Sequence, residues 1–253
     1  KNKIINIAVI AHVDAGKSTL VDALLAQSHV FRDNEEVVEC VMDSDAIERE
    51  RGITIYSKNC SIMYKGYKIN IVDTPGHADF SSEIERTLNM ADGVLLIVDA
   101  QEGVMPQTKF VLSKALQMGL RPVVVINKID KPGRDIARVE DGLSDLFLEL
   151  ATDEAQLQYP IYYAIGREGK AWAEMPADPS AEADLTPLFE AILHHIPAPK
   201  VAGAGEFQMQ VSALDYDNFL GKYAIGRIHR GQIKVNDQVV LIASDGSTKK
   251  VKI

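Results

Sequence analysis

Residues 11–19 read AHVDAGKST, between an alternating apolar run, Ile4–Ala11, and a helix-like segment at 19–26. A glycine-containing loop between strand and helix turns successive backbone N–H groups inward. The positive end of the helix dipole adds to them, so the loop is a cradle for phosphate. Asp14, Ala15, Gly16, Lys17, Ser18 and Thr19 are the expected nucleotide-binding residues of this loop. Gly16 lets the backbone close around phosphate oxygens, Lys17 places a point charge on the β- and γ-phosphates, and the Ser18 hydroxyl is a hard ligand for Mg²⁺. The usual pattern begins with glycine, and here Ala11 stands in that place. The bland alternative is a glycine-containing helix start.

The rest of the chain fits the architecture that such a loop requires. Valine- and isoleucine-rich runs at Ile4–Ala11, 68–73, Gly93–Asp99 and 122–127 are each followed by a loop and a helix-like segment, at 19–26, 82–90, 107–118 and 138–150. Strands alternating with helices of this length imply an α/β domain with a mostly parallel sheet flanked by helices. Runs 60–64 and 68–72, joined by Lys65-Gly66-Tyr67, suggest one antiparallel hairpin at the sheet edge. Residues 172–186 read as an acidic, irregular insertion before a last helix at 187–195. A proline- and glycine-rich linker at 200–206 then separates a domain at 1–199 from a segment at 207–253. That segment carries short strands between Gly, Asn and Asp turns at 207–214, 221–228, 238–242 and 249–253, as an all-β barrel or sandwich does. The last strand runs into the chain end, so this β-domain is expected to be an incomplete start.

Composition excludes some classes. The chain has 253 residues, 46% hydrophobic and 25% charged, with a net charge of −9. The charge is −11 over residues 1–200 and +2 over 201–253. An acidic main domain argues against non-specific coating of nucleic acid but leaves docking on a ribonucleoprotein through a local basic face open. No run of about 18 apolar residues occurs, so no membrane-spanning helix is expected. Residues 1–10 enter the first strand without the apolar core of a signal peptide. Cys40 and Cys60 lack metal-ligand spacing and read as reduced, inert thiols of a cytoplasmic protein.

Two further motifs complete a nucleotide site. Asp73 ends the run 68–72 and opens DTPGH at 73–77. An Asp there holds Mg²⁺, often through water, and the Gly76 N–H can sense a γ-phosphate. Asn127-Lys-Ile-Asp130 follows the fourth strand. The Asp130 carboxylate can accept from guanine N1–H and the exocyclic amine, which adenine does not offer. Asn127 can bond the other edge of the base, and the Lys128 stem can cover its face.

The AHVDAGKST loop, RGITI at 51–55 and DTPGH resemble the translational GTPases, the class containing elongation factors Tu and G. Within it, VMDSDAIERERGITI (41–55), VDTPGHADFSSEIERTLNMADGVLLIVDAQEGVMPQT (72–108) and VVINKIDKPG (124–133) resemble the BipA/TypA family of ribosome-associated GTPases. ATDEAQLQYPI (151–161), HHIPAP (194–199) and FQMQVSALDYDNFLGKYAIGRIHRG (207–231) extend the likeness over nearly the whole chain. The resemblance implies a P-loop GTPase domain followed by the start of a translation-factor β-barrel, with further ribosome-contacting domains beyond it. It implies GTP and GDP as ligands, Mg²⁺ as cofactor, the ribosome (rRNA and ribosomal proteins) as partner, and a cytoplasmic monomer.

It also implies roles for single residues. Thr54 resembles the first-switch threonine that completes the Mg²⁺ shell of Ser18 and Asp73 when GTP is bound. His77 resembles the histidine that positions the attacking water. Val13 and Ile53 occupy the positions of an apolar gate beside it, and Asp14 matches an aspartate that ligates a monovalent cation. One stretch departs from the family. After the strand at 161–164 the chain reads Ile165-Gly-Arg167 where Ser-Ala-Lys or Ser-Ala-Leu is usual. The hydroxyl that braces the base loop is missing, and the Gly166 N–H is left for guanine O6. Two rivals stay open, and a third fails. The first is an elongation factor G-type translocase or ribosomal protection protein. The second is a GDP/GTP-gated scaffold that does not hydrolyse. The third, an ATP-using P-loop kinase, is opposed by Asp130 and by the lack of a second-substrate lid.

Overall fold

Five mutually parallel strands organise the first of two units, Lys1–Pro199 and Lys200–Ile253. The computed structural model describes residues 3–28, 58–74, 81–200, 205–217 and 221–253. In the first unit these form β1 (Ile4–Ala11), α1 (Lys17–Gln27), β2 (Lys58–Tyr64), β3 (Tyr67–Asp73) and α2 (Ser81–Leu88). There follow β4 (Gly93–Asp99), α3 (Pro106–Gln117), β5 (Arg121–Asn127), α4 (Ile136–Leu150), β6 (Ile161–Ile165), β7 (Lys170–Trp172) and α5 (Thr186–His195). The sheet order is β2-β3-β1-β4-β5-β6-β7, antiparallel only at its two edges.

Alternation along the strands sends side chains to two cores. On β1, Ile5, Ile7 and Val9 join the face covered by α1 and α5, while Ala8 and Ile10 join the face covered by α2, α3 and α4. A strand buried on both faces reads as continuous Val, Ile and Leu, which is why β4 and β5 stand out in the sequence. Two boundaries differ from expectation. Tyr67 pairs with Tyr64, so the hairpin turn is Lys65-Gly66 alone, at φ 47° and 76°. Positive φ at both central residues matches the right-handed twist of the flanking strands. The three-residue β7, pairing Trp172 with Tyr163, begins before the irregular segment and is too short to carry a legible period.

Close packing makes two glycines informative. A methyl group at Gly93 would lie 2.4 Å from Ile196 Cδ1 and 2.7 Å from the Arg121 carbonyl oxygen. At Gly142, within α4, the nearest atom would be 4.0 Å away. Gly93→Ala is therefore expected to destabilise the protein by about 1–3 kcal/mol. Gly142→Ala is expected to stabilise it by about 0.5–1 kcal/mol. Urea unfolding of both variants checks the opposite signs.

The second unit contains two antiparallel ladders among the described residues. One joins β8 (Gln208–Asp217) to β9 (Gly221–Arg230), and the other joins β10 (Gln238–Ile242) to β11 (Thr248–Lys252). Among the described residues no helix is long and apolar enough to cross a membrane.

Candidate functional site

Parallel pairing brings the motif loops to one edge of the sheet. Val9 is level with Asp73, Ala11 with Ile97, Asp99 with Asn127, and Asn127 with Ala164. Each strand therefore delivers its carboxyl-terminal loop to the same side, where open α/β sheets bind ligands.

The loop at 11–19 leads from β1 into α1. Gly16 is the N-cap of α1 at φ 87°, and a methyl group there would lie 2.5 Å from Asn127 Nδ2. No side chain caps α1 and no acid lies in its first turn, whereas Asp135 accepts from Arg138 N–H at the start of α4. The α1 N-terminus thus keeps the polarity that suits an anion. Ala15 is buried, Ser18 half-buried and Thr19 exposed. Lys17 is 9% exposed and its Nζ lies 2.8 Å from Asp73 Oδ1, which is fully buried. Lys17 also donates to the Thr74 carbonyl at 2.5 Å, and the Thr74 hydroxyl donates to the Val9 carbonyl. Burial, with the nearby carboxylates of Asp73 and Asp22, pushes the Cys60 thiol up to about 12. Cys60 therefore stays a protonated thiol, and Cys40 lies outside the described residues.

The donor chemistry at this edge fits Mg²⁺. Ser18 opens α1 with a hydroxyl and Asp73 closes β3 with a buried carboxylate, both hard oxygen donors. Val13 is half-buried, and Asp14 is exposed at φ 64°. Thr54, Ile53, Gly76 and His77 lie outside the described residues.

The base-side loop is braced from three directions. Asn127 is buried; its Nδ2 donates to the Ala15 carbonyl at 2.9 Å and its carbonyl accepts from Ala100 N–H at 2.9 Å. Its Oδ1 accepts from Gly166 N–H at 2.9 Å. The Gly166 N–H, expected at guanine O6, instead donates to Asn127. Ile165 is buried at the end of β6 and positions this turn. Lys128, at φ 65°, donates to the Asp14 carbonyl and pairs with Asp99 at 2.7 Å. Burial alone would raise the Asp99 carboxyl; the Lys128 ammonium and the N–H groups of Gln101 and Glu102 outweigh it and lower it. Asp130 is half-buried, and its Oδ2 lies 3.2 Å from Arg167 Nη2.

Sequence reasoning missed Asp99, Arg167 and the His12–Glu102 pair, which meets at 2.6 Å. Asp99 ends a buried strand just as Asp73 does, a signal that could have marked it. His12 lies in the loop at 11–19 and Arg167 in the stretch that departs from the family, but neither residue type pointed to its partner.

Comparison with known proteins agrees with this geometry. Residues 2–198 match the family model described as the elongation factor Tu GTP binding domain. The large ribosomal subunit assembly factor BipA of Synechocystis sp. is 54% identical over 248 residues, 98% of this chain and 41% of that protein. Its namesake from Escherichia coli K12 is 53% identical over 251 residues, 99% of this chain and 41% of that protein. The chain thus spans about two fifths of the length of these curated relatives. Among solved structures, a bacterial selenocysteine-specific elongation factor EF-Sec superposes with a TM-score of 0.72 at 22% identity, covering 98% of this chain and 38% of that one. A protein from Thermus thermophilus gives 0.71 at 22% identity, over 99% of this chain and 48% of that one. These two share the fold. Taken with the converging loops, the match over residues 2–198 shows that this chain belongs to the family of the elongation factor Tu GTP binding domain.

Proposed function

We propose that the chain binds GTP and GDP with Mg²⁺, hydrolyses GTP and acts as a switch on the ribosome, in ribosome assembly or in regulating translation. One observation carries the nucleotide part: Lys17, Asp73, Asn127 and Asp130 converge on one sheet edge beside an uncapped helix N-terminus. Ser18 and Asp73 hold Mg²⁺ in this reading, Thr54 closes its shell with GTP, and Asp130 reads guanine. Mg²⁺ neutralises charge on the phosphates, so the protein's own groups have mainly to orient the reactants. His77 orients the water behind an apolar gate of Val13 and Ile53, Gly76 contacts the γ-phosphate, and Asp14 ligates a monovalent cation. The ribosomal partner is supported by the names of the BipA relatives. The protein acts as a monomer in the cytoplasm in this reading.

The test is multiple-turnover GTP hydrolysis by the full-length protein, with and without ribosomal subunits. Slow turnover alone and stimulation by ribosomes are expected. GTP kept intact at saturating ribosomes would instead identify a nucleotide-gated scaffold. His77→Ala should lower stimulated turnover by about a hundredfold or more, as expected of a lost water-orienting group, and leave the GDP Kd nearly unchanged. Parallel loss of GDP binding would make His77 structural.

A further inference from the structure

We propose that Arg167 is a positioning residue for guanine recognition: its guanidinium holds the Asp130 carboxylate in the orientation that accepts both donors of the base. The proposal rests on the reading of Asp130 as the guanine acceptor.

The backbone on both sides of this pair is pinned. Gly166–Glu168 forms a single 3₁₀ turn after β6. Gly166 N–H bonds to Asn127 Oδ1 at one end, and Gly169, at φ 65°, closes the turn with a bond to the Gly166 carbonyl at 3.2 Å. The turn presses closely on its neighbours, since a methyl group at Gly166 would lie 3.2 Å from Asn127 Oδ1 and 3.3 Å from Leu20 Cβ. In the base loop, Ile129 N–H donates to the Ala164 carbonyl at 3.3 Å and the Ile129 carbonyl accepts from Arg134 at 2.6 Å. The torsions of the Asp130 side chain are what these bonds leave undecided. Arg167 Nη2, 3.2 Å from Asp130 Oδ2, restricts them.

Among the described residues, the neighbouring charges of Lys128 and Glu168 do not fill this role. Lys128 Nζ is committed to Asp99 and the Asp14 carbonyl. Glu168 Oε1 lies 3.7 Å from the same Arg167 nitrogen and is itself paired with Lys170 at 3.1 Å. Arg167 is 61% exposed and Asp130 18%, so the guanidinium reaches over the carboxylate from the solvent side. An ionised carboxylate has about four acceptor sites. Guanine would take one on each oxygen, which leaves a site on Oδ2 for Arg167, and the pair can persist with the base bound. Position 167 is where the family has Lys or Leu, and Leu could not make this contact.

Inosine diphosphate isolates the effect, because it has the N1–H but lacks the exocyclic amine. Its base offers Asp130 one donor, so the plane of the carboxylate matters less. Kd values for GDP and inosine diphosphate are measured on the complete chain for the parent, Arg167→Leu and Arg167→Lys. Arg167→Leu should weaken GDP about fivefold, the upper end for an exposed ion pair, and inosine diphosphate less than about twofold. Arg167→Lys should restore most of the difference. Equal weakening of both nucleotides would overturn the proposal in favour of a general structural role. Unchanged or tighter GDP binding by Arg167→Leu would overturn it outright. The parent's preference for GDP over ADP is measured alongside. Its absence would sink the Asp130 reading itself, whatever Arg167 does.

Discussion

Asp130→Ala is expected to raise the Kd for GDP by about 10²–10³-fold while leaving the fold intact. Two guanine donors would lose their acceptor in a partly enclosed site. Each buried donor left unsatisfied costs about 1–3 kcal/mol, and 1.4 kcal/mol is about tenfold in affinity. The effect on stability should be small. The described partner of the Asp130 side chain is the exposed Arg167, and such pairs contribute about 0–1 kcal/mol. The variant should also lose its preference for GDP over ADP, because no acceptor then distinguishes the bases. Competition of both diphosphates against a fluorescent guanine nucleotide reads this directly. A variant that keeps parental GDP affinity would remove Asp130 from the site.

Lys17→Met is expected to act twice. Nucleotide affinity should fall by about a hundredfold or more, because the phosphates lose a charge-assisted donor in a largely buried cradle. Stability without nucleotide should also fall, by about 3 kcal/mol, because a buried ion pair with Asp73 is broken from one side. The double variant Lys17→Met/Asp73→Asn separates the two effects. It removes the buried charge as well, so it should regain much of the stability and none of the affinity. Urea unfolding and GDP titration on both variants provide the check. Strong GDP binding by Lys17→Met would mean that the cradle works through backbone N–H groups alone.

Much of the fold was legible because its signals are local. Strands buried on both faces are unbroken runs of Val and Ile, so β1 and β4 are found at their observed limits. The hairpin turn and β7 were misjudged where an element spans two or three residues, too few for any period to show. The second unit's strands were located, with ends shifted by a few residues at β8 and β9.

The sequence alone determined which motifs the chain carries. The loop at 11–19, the carboxylate that closes β3 and the Asn-Lys-Ile-Asp turn are contiguous motifs, legible from residue types a few positions apart. Only the tertiary structure decided how those motifs hold one another. Asn127 meets Ala15 across 112 positions, Lys17 meets Asp73, Lys128 meets Asp99, and Arg167 meets Asp130. These contacts depend on strand order and register, which no local pattern encodes. The phosphate loop is thus read from nine consecutive residues, while its bracing depends on strands that become neighbours only when the sheet forms.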